Sequence, residues 1–130
     1  MKKSLPILIS VILSLFILSA CDETGNYDAS SWPIVTDEEF VATAKDKLKI
    51  TYNGTDSKRQ VTQNIALPTN GLFDTTITWS SDNSSVISTN GTVIRPPYAS
   101  GDVPITLTAT ITKGTKSDTK DFFLLVLKAP

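Results

Sequence analysis

The chain of 130 residues has no histidine, one cysteine and one methionine. Without histidine it cannot assemble a Ser-His-Asp or Cys-His catalytic group, and it lacks the commonest ligand of zinc sites. With one cysteine it cannot close an intramolecular disulfide. It also lacks an excess of either charge, with 12 Lys and Arg against 13 Asp and Glu. Phosphate binding needs a basic patch, so nucleic acid is excluded as a partner class. Acidic loops are sparse. Asp82 and Asn83, with Asp74 and Asp102 in other loops, fall short of the roughly six to eight oxygens calcium wants, and turn chemistry accounts for them. No carboxylates pair in a pattern suited to glycoside hydrolysis. The expectation is a chain with no catalytic residue, no metal and no cofactor.

What is present begins at the start of the chain. Lys2 and Lys3 precede an apolar run from Leu5 to Leu18, broken by Pro6, Ser10 and Ser14. A charged start and a run shorter than the ~20 residues of a membrane span make the layout of a secretory signal peptide. The run ends Leu18-Ser19-Ala20-Cys21, so the sole cysteine closes it. This ending resembles the bacterial lipobox. The resemblance implies that the Cys21 thiol receives a diacylglycerol, that the chain is cut before it, and that the new amine is often acylated. A thiol suits the step as the best nucleophile near neutral pH. Two acyl chains hold a protein durably, at about 0.8 kcal/mol per buried CH₂. Membrane lipid is then a partner through acylated Cys21. The expected location is exported and lipid-anchored to the bacterial cell membrane or outer membrane, facing periplasm or exterior. Asp22 resembles an inner-membrane retention signal of some Gram-negative bacteria. Removal of residues 1–20 takes away Lys2 and Lys3 but no acid, which leaves a net charge of −3.

Residues 21–35 read as a lipidated N-terminus and flexible linker, polar and without clean period. Tyr27 and Trp32 are its aromatic members. Fourteen linker residues reach roughly 20 Å by random-coil scaling. Residues 36–130 read as one domain. Thr36 and Glu39 form a capping box, and Asp37, Glu38 and Glu39 fill the first turn, where the helix dipole favours acids. Phe40, Val41, Ala44 and Leu48 share one face, so an amphipathic helix is predicted over residues 37–48. The pattern then changes to a period of two, with strands predicted within residues 60–128. Val61, Ile65 and Leu67 alternate first. Thr75, Ile77 and Trp79 oppose Thr76, Thr78 and Ser80. Asn90-Gly91 sits between two β-prone runs, a strong hairpin signal. Val103, Ile105, Leu107, Ala109 and Ile111 face away from Thr106, Thr108, Thr110 and Thr112, which makes one buried and one wet face. The segment DFFLLVLK, residues 121–128, holds a continuous apolar run, which predicts a strand covered on both faces or central in its sheet. Short strands at this spacing suggest a β-sandwich.

Three segments carry a resemblance. They are VTQNIALPTNG, TTITWSSDNSSVISTNGTVIRP and GDVPITLTATITKGTKSDTKDFFLLVL. In order and spacing they resemble the bacterial Ig-like domains, most closely the atrophied bacterial Ig domain, over about residues 37–130. The resemblance implies an immunoglobulin-like, all-β sandwich behind a short N-terminal helix. It also implies a non-catalytic spacer, adhesion or binding module of surface proteins. The expected core is Ile77, Trp79, Ile105, Leu107, Ile111 and Phe123, with Trp79 in the place of the buried tryptophan of Ig-type cores. The cysteine pair of antibody domains is missing, so burial alone must stabilise the fold.

Four aromatics, Phe73, Tyr98, Tyr52 and Trp32, are candidates for a sugar-binding platform. Tyr98 leads because Pro96 and Pro97 stiffen its loop. Packing over the sandwich end is the competing explanation. The triplets starting at Asn53, Asn83 and Asn90 match glycosylation acceptors, an incidental match behind a lipobox. The functional expectation is a lipid-anchored, non-catalytic envelope module. Its expected partner is an envelope protein, with a structural subunit of an envelope complex and a carbohydrate-binding accessory to surface glycosidases as alternatives. Tyr98, Phe73 and Trp32 are the candidate ligand contacts.

Overall fold

A computed structural model describes residues 33–130. Cys21, Trp32 and the signal peptide expected over residues 1–20 lie outside the described residues. The domain is the unit Val35–Pro130. It opens with helix α1, Asp37–Lys47. Thr36 is its N-cap. The Glu39 N–H donates to the Thr36 hydroxyl at 3.3 Å, and the Thr36 N–H donates to the Glu39 carboxylate at 2.8 Å. Two of the backbone donors at the helix start are thereby satisfied.

Three strands follow: β1 (Thr76–Ser81), β2 (Val103–Lys113) and β3 (Lys116–Val126). They form one antiparallel sheet in the order β1-β2-β3. Ile77 pairs with Ile111, Leu107 with Phe122 and Ile105 with Leu124. The inner face thus gathers Ile77, Trp79, Ile105, Leu107, Ala109, Ile111, Phe122 and Leu124. The threonines of β1 and β2 stand on the other face.

The second layer of the sandwich is reduced. Helix α1 covers one half of the sheet, where Val41, Ala44 and Leu48 pack on Ile77, Ala109 and Ile111. Irregular segments cover the other half, where Ile50, Val61, Ile65 and Ile87 pack on Ile105, Leu107, Leu124 and Val126. These segments hold one another through single bridges, Thr51 to Ala66 and Ile87 to Val93, and join the sheet through Val61 beside Val126 and Asn70 beside Thr76. Trp79 and Phe122 touch both clusters, their ring centroids 5.4 Å apart. Trp79 is half-buried, and its indole N–H donates to the Pro68 carbonyl at 2.8 Å. The core therefore runs uninterrupted along the sheet, under two different covers.

Two readings of β3 need correction. Phe123, expected in the core, is 71% exposed. A continuous apolar run carries no phase, and pairing with β2 sets the phase instead. Leu124 opposite Ile105 and Phe122 opposite Leu107 face inward, which leaves Phe123 opposite Thr106 on the wet face. Nor is β3 central: it is an edge strand of the sheet. Among the described residues only its C-terminal end gains a neighbour, because the Leu125 N–H donates to the Lys58 carbonyl and the Val61 N–H to the Leu125 carbonyl, both at 2.9 Å.

Candidate functional site

Phe73 lies in a 3₁₀ turn, Leu72–Asp74, between α1 and β1. Thr75 is wholly buried there, and its hydroxyl donates to the Leu72 carbonyl at 3.0 Å. The tight turn puts Phe73 and Asp74 at φ of 59° and 56°. Left-handed backbone at two successive non-glycine residues is strained. Leu72 and Phe73 remain half-exposed, and the Phe73 ring lies 4.8 Å from that of Phe40 on α1. The Lys113 ammonium sits 5.5 Å from the Phe40 ring centre and donates to the Phe73 carbonyl. Much of the exposed aromatic is thus engaged by the helix and by the end of β2.

Tyr98 stands in the 3₁₀ turn Tyr98–Ser100, just ahead of β2, and is 67% exposed. The Lys128 ammonium covers one ring face at 3.9 Å, a cation–π contact. Phe73 is beside the last residue of β2 and Tyr98 precedes its first. Eleven strand residues separate them, roughly 35 Å at about 3.3 Å each. The two candidates do not form one platform. Tyr52 is on neither turn; it packs against the cluster around Ile50 and Val61, and burial pushes its phenol pKa up.

Tyr52 instead borders a groove that sequence reasoning missed. Tyr52, Lys58, Arg59, Asp121 and residues 122–125 line an open space of about 470 Å³ along the free edge of β3. The apolar run was the available signal, since it marked residues with no settled face.

The other charged side chains near the loops hold backbone. Burial raises the pKa of Asp56, but hydrogen bonds from the Thr62 N–H and hydroxyl and the Gln63 N–H, with the Arg95 charge, outweigh it and hold the carboxyl below its ordinary range. The Lys45 ammonium, bonded at 2.8 Å, leads the causes that lower Asp118, followed by the Thr119 N–H. Arg95 donates to the carbonyls of Leu127 and Lys128 and pins the chain end. Lys120 points inward from β3 and donates to the Lys45 and Leu48 carbonyls at 2.7 and 3.0 Å. Among the described residues no group of three or more Cys, Asp or Glu is placed to share an ion.

The order helix, reduced second layer and three-stranded sheet can be set against known families. A family model for the atrophied bacterial Ig domain matches residues 41–129. The chain belongs to that family. A search of curated proteins finds no significant relative. The atrophy has a visible counterpart in this Ig-like domain. Where a full sandwich would set a second sheet, α1 and bridged loops complete the core. Among the described residues no helix is long and apolar enough to cross a membrane.

Proposed function

We propose that this Ig-like protein is a lipid-anchored, non-catalytic module of the cell envelope that binds a protein partner. The observation that carries the reading is the family match over residues 41–129 in a chain whose residues 17–21 read Ile-Leu-Ser-Ala-Cys. An interaction-type domain joined by a short linker to an acylation signal is a domain held at a membrane, where partners meet it at high effective concentration. The use of Asp56, Arg95 and Lys120 on backbone groups supports a structural role for the polar residues. Lysine over Tyr98 leaves a sugar only one ring face, which ranks a protein partner above a glycan.

Chemical crosslinking on native membranes followed by pull-down tests the reading. A protein partner recovered reproducibly with the wild type supports it. A glycan-array signal that Tyr98→Ala or Phe73→Ala abolishes would replace it with the carbohydrate-binding alternative. Hydrolysis of glycosides or esters by the purified chain would replace it with an enzyme.

A further inference from the structure

The open edge of β3 has a definite hydrogen-bonding polarity. Leu125 aims its N–H and C=O away from β2, at Lys58 and Val61. In an antiparallel ladder every second residue does the same, so Phe123 and Asp121 also aim outward. Thr106, opposite Phe123, agrees. Its N–H donates to the Asp82 carboxylate at 3.0 Å and its carbonyl accepts from the Asp82 N–H at 3.1 Å, both on the β1 side. Among the described residues no backbone group pairs with the outward N–H and C=O of Asp121 and Phe123.

Three further features converge on this register. Phe123 offers an exposed ring beside it. Lys58 and Arg59 are among the residues that line the groove along it, and they have no ion pair among the described residues. The Asp121 carboxylate, the groove's one acid, accepts from the Thr108 hydroxyl at 2.7 Å on the sheet's outer face. The groove therefore carries two cations against one acid, on a chain whose charges nearly balance. Exposed edges are commonly guarded by inward-pointing charge. Here the inward Lys120 is occupied by the carbonyls at the end of α1, and guards nothing at residues 121–123.

We propose that residues 121–123 accept an extended segment of a partner protein as a fourth strand, with carboxylates on that segment meeting Lys58 and Arg59 and an apolar side chain lying on Phe123. Main-chain hydrogen bonds supply the affinity, and the cations and the ring supply the selectivity. A single exposed phenylalanine would mean nothing; it is the unpaired ladder groups beside two unpaired cations that define the occupant. The proposal rests on the reading of the protein as a binding module and names the surface it uses.

The test uses the full chain in detergent micelles with a fluorescein-labelled extended peptide, TVTVEEE. Its controls are TVTVKKK and a TVTVEEE with alternate backbone nitrogens methylated. We expect TVTVEEE to bind and to slow amide exchange at Asp121 and Phe123. TVTVKKK should bind about tenfold more weakly, as two exposed charge pairs would dictate. The Lys58→Glu, Arg59→Glu double variant should reverse that preference, and backbone methylation should cost TVTVEEE more than about tenfold. No binding at millimolar peptide overturns the proposal, as do protection elsewhere on the domain and equal binding of the methylated peptide. Crosslinking then separates the two readings. Partner capture that survives the double charge reversal overturns the edge site and spares the module. Wild-type chain that binds TVTVEEE at the edge yet captures no envelope protein keeps the edge site and counts against the module.

Discussion

Phe122 and Phe123 are neighbours of identical chemistry, and the ladder with β2 sends one inward and the other into solvent. Phe122→Ala should lower stability by about 3 kcal/mol, the low end of the range for aromatic truncation because the ring is only partly buried. Phe123→Ala should stay within about 0.5 kcal/mol of wild type. Urea melts of the two variants check this, and equal losses would show the register to be shifted. Gly91 is constrained in another way. Its φ is 87°, and an added Cβ would lie 2.1 Å from the Ile65 carbonyl oxygen, which accepts no side chain so near. Gly91→Ala should cost at least about 2 kcal/mol, the sum of left-handed strain and a displaced Ile65. Asp56 sets part of the acid response. Its folded pKa is depressed, so its contribution is fully present above the ordinary aspartate value of about 3.9 and is lost as pH falls through the lower folded value. Stability of the wild type should decline below about pH 4. Asp56→Asn should be less stable near neutrality and show a flatter decline, as thermal melts across pH would register.

At the scale of elements, α1 has only 11 residues, and an isolated helix of that length is marginal in water. Its capping box, the burial of Val41 and Ala44, and the Lys120 ammonium under its last carbonyls hold it to the sheet. Lys120→Met keeps the packing stem but removes the donor, and should cost about 1 kcal/mol with faster amide exchange in the last turn of α1. Exchange unchanged in that turn would show the contact to be unimportant. Trp79 joins the helix half of the core to the loop half. Trp79→Ala should cost about 3 kcal/mol, through lost packing and an unpaired Pro68 carbonyl, and should reduce the cooperativity of unfolding. A loss under about 1 kcal/mol would mean that the two halves are held together by the sheet alone.

For the whole molecule the decisive variant is Cys21→Ser, which removes the thiol that an acyl transfer requires. We expect it to lose fatty-acid labelling and to retain its signal segment, as metabolic labelling and mass measurement would report. Maturation to the wild-type mass with retention in membranes would sink the anchor. The compact domain should be unaffected, because its core draws only on residues 41–126.

Local chemistry determined much of this protein. The capping box at Thr36 and Glu39 needs only four consecutive residues, and the helix starts where they place it. The alternation of β2 between aliphatics and threonines determined which face is buried, because a period of two leaves no second solution. The Asn90-Gly91 turn likewise follows from the glycine's access to positive φ. The proposed acylation signal at residues 18–21 is likewise a reading of contiguous residues, made without reference to the fold. Tertiary structure decided the rest. An unbroken apolar run such as residues 122–127 has no intrinsic phase, so only the ladder with β2 could choose Phe122 over Phe123. Which strand lies at the edge is a matter of neighbours distant in the chain. The groove at that edge joins Tyr52 and Lys58 to Phe123, residues brought together only when the loop at residues 58–61 pairs with the end of β3. The separation of Phe73 from Tyr98 is of the same kind, since no local rule reports that two loops stand at opposite ends of one strand.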